Sequence, residues 1–171
     1  MPRGDKPIVY LASFERNDSD AAEKFAKMKE ICAKYGLTAI TPMDSAPGVP
    51  DIETDDLYEK TYNTFDRWQQ HVRNCDIILA NLNDYRSGYE PNDDVAFECG
   101  MAFQLGKKLY GYADNIGPMV DRVPNHTVDG RVRDANEMDV ENFEAACNLM
   151  FCASYKMLDG SFEDVVRKMA E

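Results

Sequence analysis

Asp76-Ile77-Ile78-Leu79-Ala80-Asn81-Leu82 is the clearest strand in the chain, and the fold is read outward from it. Arg86-Ser87-Gly88-Tyr89-Glu90-Pro91 follows as a turn-rich loop, and a helix then runs from about Asp93 to Leu105 and ends at Gly106. Leu109 to Tyr112 reads as the next strand, so strand, helix and strand succeed one another at crossover spacing. The same alternation precedes this block. Ile8 to Ala12 looks like a buried strand, and Asp18 or Ser19 can cap a helix whose apolar positions Phe25, Met28, Cys32 and Tyr35 step at helical spacing. Gly36 ends that helix and Leu37 to Thr41 makes a further strand. Residues 42–56, with Pro42, Pro47, Gly48 and Pro50, read as a surface loop. Leu57, Thr61, Phe65, Trp68 and Val72 mark one stripe of a second amphipathic helix. Residues 113–137 read as loop, and a last helix starts at Ser161 with Asp164 as its capping-box partner. The pattern predicts an α/β fold with a mainly parallel sheet. Ligands in such sheets sit beyond the carboxyl ends of the strands, here at Ser13-Phe14-Glu15, at Asn83 to Asp94 and after Tyr112.

At 171 residues the chain reads as a single domain, residues 1–171, with no internal repeat. It carries 31 acidic and 19 basic residues, a net charge of -12, which argues against a nucleic-acid polymer or an anionic membrane as partner. The surplus is uneven. Residues 44–66 carry seven acids against Lys60, residues 84–98 five against Arg86, and residues 129–144 six against Arg131 and Arg133. No apolar stretch is long enough to span a bilayer, and the polar run Met1 to Pro7 gives no sign of a secretory leader. The five cysteines (Cys32, Cys75, Cys99, Cys147, Cys152) are odd in number and scattered, which fits reduced thiols in a cytoplasmic protein.

Glu98 is the most informative residue. Between Val95 and Leu105 only Glu98 and Gln104 are polar, and no Lys or Arg stands at the helical neighbours 94, 95, 101 or 102. If that near-apolar helix is buried, its carboxylate is a candidate nucleophile or acid; otherwise Glu98 marks the helix's one wet face, one turn after Asp94. Asp76 opens the strand either as an edge cap or as a carboxylate facing a cleft, and Tyr10 is either core or a phenol reaching a polar group. Asn92-Asp93-Asp94 sits where acids complement a helix dipole. His71 and His126 lack companions at ligand spacing, so no metal site is expected. Dinucleotide, P-loop and serine-hydrolase motifs are absent.

The block from Cys75 to Leu82, the loop Arg86 to Pro91, and Val95-Ala96-Phe97-Glu98-Cys99-Gly100-Met101-Ala102 with Gly106-Lys107 together resemble the nucleoside 2-deoxyribosyltransferase family. Tyr10-Leu11-Ala12 fits the family's opening strand and Asn148-Leu149-Met150 its late signature. The resemblance covers most of residues 8–151. It implies a flavodoxin-like three-layer sandwich around about five strands, and exchange of the base on a 2'-deoxynucleoside through a covalent deoxyribosyl-enzyme ester, without a cofactor. Carried over by position, Glu98 is the nucleophile, Tyr10 holds it, Asp76 lies in the pocket and Phe14 packs against the base. Asn148 and Met150 reach a neighbouring subunit's pocket, so the family implies a homo-oligomer with shared sites that takes a deoxynucleoside and a free nucleobase.

Two departures stand out. Where the family has an Asp that contacts and helps protonate the departing base, this chain has Asn92, and an amide is no general acid. Either Asp93 or Asp94 substitutes, or leaving-group protonation is weaker, or the substrate differs. Ser13-Phe14-Glu15-Arg16 also lacks the Gly-Pro turn common there. The alternatives are a nucleoside or nucleotide N-glycosidase on the same scaffold and a catalytically silent nucleotide-binding module.

Overall fold

The structure, a computed structural model, describes residues 6–86 and 88–171. The polar start at Met1 to Asp5 and Ser87 of the turn-rich loop lie outside the described residues. Strand β1 (Ile8–Ala12) shows how the layers form, because its side chains alternate between two cores. Val9 and Leu11 pack with Cys32 of α1 (Ala21–Lys34) and with Val165, Val166 and Met169 of α5 (Phe162–Ala170). Tyr10 and Ala12 pack with Val72 of α2 (Leu57–Asn74) and with Val95, Cys99 and Ala102 of α3 (Asp93–Gln104). Strand β3 (Ile77–Asn81) repeats this, with Ile77 and Leu79 on the first side and Ile78 and Ala80 on the second.

All five strands of the main sheet are parallel, in the order β2 (Thr38–Ile40), β1, β3, β4 (Lys108–Tyr112) and β7 (Lys156–Leu158). Helices cover both faces, so the α/β three-layer sandwich stands. The direction of winding reverses between β1 and β3, which opens a crevice at their carboxyl ends. Gly106 stops α3 with φ +67, a left-handed conformation that a side chain strains, and Lys107 N–H closes the end on Ala102 O at 3.0 Å. The capping box at Ser161 and Asp164 starts α5 as its sequence predicts.

The structure differs from the sequence reading in four places. Neither Asp18 nor Ser19 caps α1: Asp20 is the N-cap without a side-chain bond, because the Asp18 carboxylate is taken by Lys24 at 2.6 Å. Residues 113–137 are not all loop. They contain an antiparallel hairpin, β5 (Asn125–Val128) and β6 (Arg131–Asp134), joined at Asp129-Gly130 with φ +50 and +76. A short helix α4 (Leu149–Ser154) and β7 stand where the sequence gives no element, and a 3-10 turn occupies Met119–Asp121. Finally, α2 and α3 are less buried than their patterns suggest. Only His71 and Val72 of α2 are fully buried, Leu57 and Phe65 are exposed, and on α3 Phe97 and Phe103 are 59% and 60% exposed.

Candidate active site

Tyr10 is fully buried in the middle strands, on the face that α2 and α3 cover. From there its hydroxyl donates to Oε1 of Glu98 at 2.6 Å. Glu98 is only 2% exposed, so it does not sit on a wet helix face. Its second oxygen, Oε2, is buried without a hydrogen-bond partner. Burial pushes the carboxyl from the usual value near 4.5 up to about 7, against the opposing pull of the Tyr10 bond and the Arg16 charge. The same burial, with the Glu98 charge beside it, raises the Tyr10 hydroxyl well above its usual range, so the phenol keeps its proton and remains the donor. Behind it the His71 ring stacks on Tyr10 at 5.5 Å between centroids. His71 Nε2 lies 3.0 Å from Asp44 O, and a carbonyl only accepts, so Nε2 carries the hydrogen. His71 is thus a packed support for the Tyr10 ring.

Glu98 lines a cleft of about 690 Å³ between α2 and α3. Leu57, Phe65, Trp68, Phe97 and Met101 give it apolar and aromatic walls, and Lys60, Thr61, Thr64, Asp93 and Asp94 its polar groups. The stripe on α2 therefore faces open space in large part, which is why its residues are apolar yet not in the core. Arg16 ties the cleft's sides together. It stands on a short 3-10 turn (Phe14–Asn17), ion-pairs with Asp94 of α3, donates to Ser13 O at 3.0 Å, and lies over the Trp68 ring of α2 at 4.4 Å. Trp68 in turn donates through its indole N–H to Pro42 O at 3.1 Å. Neither Arg16 nor Trp68 stands out as a site residue in the sequence. They meet only because β1, α2 and α3 are adjacent, and no spacing rule encodes that.

The other expected residues divide. Asp93 and Asp94 line the cleft with Glu98; Asp94 is committed to Arg16, and Asp93 has no ion pair among the described residues. Asn92 is buried at the start of α3, where its Oδ1 accepts from the N–H groups of Asp94 and Val95, so its acceptor is used as a helix cap. Asp76 is a correction. It precedes β3 at the amino end of the sheet, accepts from Ile8 N–H at 2.9 Å, and lines a groove with Lys6, Asn74 and Lys108. The edge-cap reading of Asp76 holds, and the cleft reading does not. Phe14, on the turn at 14–17, packs on Tyr85 at 5.2 Å between ring centroids and is not among the residues lining the cleft, whose aromatic walls come from Phe65, Trp68 and Phe97. Asn148 and Met150 stand on the other flank of α3, against Cys99 and Phe103, with Met150 71% exposed. Asn148 caps α4 and donates to Glu141 at 2.7 Å.

The described residues contain no group of three or more His, Cys, Asp or Glu side chains set to hold a metal ion. The chemistry on offer is that of a carboxylate with one oxygen fixed and one free, in an apolar surround, facing a cleft of the size that small ligands fill.

Comparison with known proteins points to one family. The family model described as nucleoside 2-deoxyribosyltransferase matches residues 9–150. A 2-desoxiribosyltransferase from Leishmania mexicana superposes with a TM-score of 0.68 and 25% identity, over 96% of this chain and 97% of that one. A conserved protein from Enterococcus faecalis V583 shares the fold, with a TM-score of 0.51 and 16% identity over 96% of this chain and 99% of that one. An uncharacterized protein of Schizosaccharomyces pombe is 28% identical over 106 residues, 62% of this chain, and the chain matches 49% of that relative's length.

Proposed function

The chain belongs to the nucleoside 2-deoxyribosyltransferase family, and from that premise we propose that it moves a 2-deoxyribosyl group from one nucleobase to another through an ester on Glu98. One observation carries the reading: Glu98 is buried on an aromatic cleft with Oε1 held by Tyr10 and Oε2 unpartnered. In the first half-reaction Oε2 attacks C1' of the deoxynucleoside, the bond from C1' to the base breaks, and the base leaves with a proton. In the second, a nitrogen of the incoming base attacks C1', the ester breaks, the proton lost by that base returns to the acid that protonated the first, and the two inversions give net retention. Tyr10 fixes the carboxylate's direction and favours its charged form. The walls formed by Phe65, Trp68 and Phe97 offer flat faces for a base. Because Asn92 is spent as a cap and Asp94 is paired with Arg16, Asp93 is the acid we assign to the departing base. Asn148, half-buried, and Met150, exposed, stand on the far flank of α3 and are assigned to the cleft of a neighbouring subunit in a homo-oligomer.

Incubation with a deoxynucleoside and a different free base tests this. New nucleoside is expected, together with a brief mass increase of one deoxyribosyl group that maps to Glu98, and both vanish in Glu98→Gln. No exchange with any purine or pyrimidine pair overturns the reading. Free base and free sugar released without an acceptor indicate the N-glycosidase instead. Tight ligand binding without product, unchanged by Glu98→Gln, indicates a silent binding module.

A further inference from the structure

Away from the cleft, two thiols stand in van der Waals reach of each other: Cys147 and Cys152, with Sγ to Sγ at 3.5 Å. Their place in the chain explains the approach. Asn148 is the N-cap of α4, so Cys147 is the residue before the cap and Cys152 is the fourth of the helix. Side chains at those two positions pack on each other across a helix start, usually as a hydrophobic staple. Here both halves of the staple are cysteine. Cys152 also directs its S–H to the Cys147 carbonyl at 3.3 Å, which holds it over its neighbour.

We propose that Cys147 and Cys152 form an oxidisable dithiol site, which a hydroperoxide converts to a disulfide across the start of α4. Exposure decides the order of events. Cys32, Cys75, Cys99 and Cys147 are buried, and Cys152 alone of the five is partly exposed. The Cys152 thiolate takes oxygen from the peroxide, giving a sulfenic acid and hydroxide, which collects the thiol's proton to become water. The Cys147 sulfur then attacks the Cys152 sulfur, the S–O bond breaks, and a second water leaves with the Cys147 proton. Two thiols and one hydrogen peroxide thus yield one disulfide and two waters. The sulfurs must close by about 1.5 Å to reach disulfide length, a movement within one helix turn. The selectivity comes from proximity. Burial pushes Cys32 and Cys75 up to about 11 and Cys99 to about 12, and none of these three has a thiol partner among the described contacts. Cys147 is raised as well, by burial and by its bond to Cys152, which fits the resolving thiol rather than the one that takes oxygen from the peroxide. The product pins the first turn of α4, the segment that bears Asn148 and Met150.

The test is chemical and does not depend on the transferase reading. Reduced protein is treated with graded hydrogen peroxide, denatured in N-ethylmaleimide and digested with trypsin, which leaves both cysteines on one peptide, residues 134–156. That peptide is expected to lose both maleimide labels together and to be lighter by two hydrogens, about tenfold faster than Cys32 loses its label, and to recover both labels after dithiothreitol. In Cys147→Ser the disulfide does not form and Cys152 is trapped by dimedone as a sulfenic acid. Should a variant fail to fold, the wild-type labelling decides alone. Retention of both labels until the buried thiols also react, or pairing of either cysteine between chains, overturns the proposal.

Discussion

Burial leaves Glu98 titrating at about 7, where an exposed carboxyl titrates near 4.5. In the unfolded chain the group loses its proton near 4.5, so between that pH and 7 the folded protein holds the extra proton. Stability is therefore full below 4.5 and falls as pH rises toward 7, and above 7 the folded state carries an ionised, buried carboxylate that costs about 3 kcal/mol. Glu98→Gln keeps the acceptor for Tyr10 and removes that charge. It is expected to abolish exchange and yet unfold at higher urea than the wild type at pH 8, with the gap closing toward pH 5; equal midpoints at pH 8 contradict the buried charge. The same titration sets the rate. Only the carboxylate attacks carbon, so kcat/KM rises with pH through about 7 on its acid limb. Tyr10→Phe removes a bond that favours the charged form, so the limb moves to higher pH and kcat/KM at pH 7 drops about 10- to 100-fold. A pH–rate profile of both proteins decides it, and an unmoved limb argues that Tyr10 serves packing alone.

At the scale of elements, Asn92 is where the family pattern and the local physics of α3 pull apart. Its side chain satisfies two N–H groups at the helix start, so Asn92→Ala is expected to lower stability by about 1 kcal/mol, while Asn92→Asp caps as well and adds charge at the positive end of the helix. Thermal unfolding of the two variants checks this, and an Asn92→Ala protein as stable as the wild type removes the capping role. The block β3, α3 and β4 was legible because an apolar run, acids at a helix start and Gly106 are local signals. The hairpin at 125–134 carried an equally local one, Asp129-Gly130, but its strands are short and polar, so no apolar alternation supported the turn. Helix α4 and β7, with six and three residues, are too brief for periodicity to register. The stripe on α2 misled for another reason. Leu57 and Phe65 are apolar because they face a cleft, and a side chain that awaits a ligand or partner has the same composition as one in a core. Glu98 was legible as an acid without neighbours of opposite charge. Arg16 and Trp68 were not, since their contact spans separate elements.

For the whole molecule, the distribution of apolar surface matters more than the net charge of -12. Phe97 and Phe103 on α3 and Met150 on α4 leave large apolar side chains exposed on adjoining surfaces, beside a cleft whose walls are open. A two-fold partner covers such a face economically, because one patch serves both copies. In that arrangement each cleft combines Glu98 from one copy with Asn148 and Met150 from the other. Two variants then fail for different reasons: Glu98→Gln lacks the attacking oxygen, and Asn148→Ala paired with Met150→Ala lacks the group lent to its neighbour. Each is expected to show little exchange alone. Mixed and allowed to re-equilibrate, they form hetero-dimers in which the Glu98→Gln copy lends an intact Asn148 and Met150 to the intact Glu98 of the other, so exchange returns. The exchange rate of the mixture against each variant alone is the measurement. A mixture no faster than its components, when sedimentation shows that the copies do associate, means that each cleft is complete within one chain.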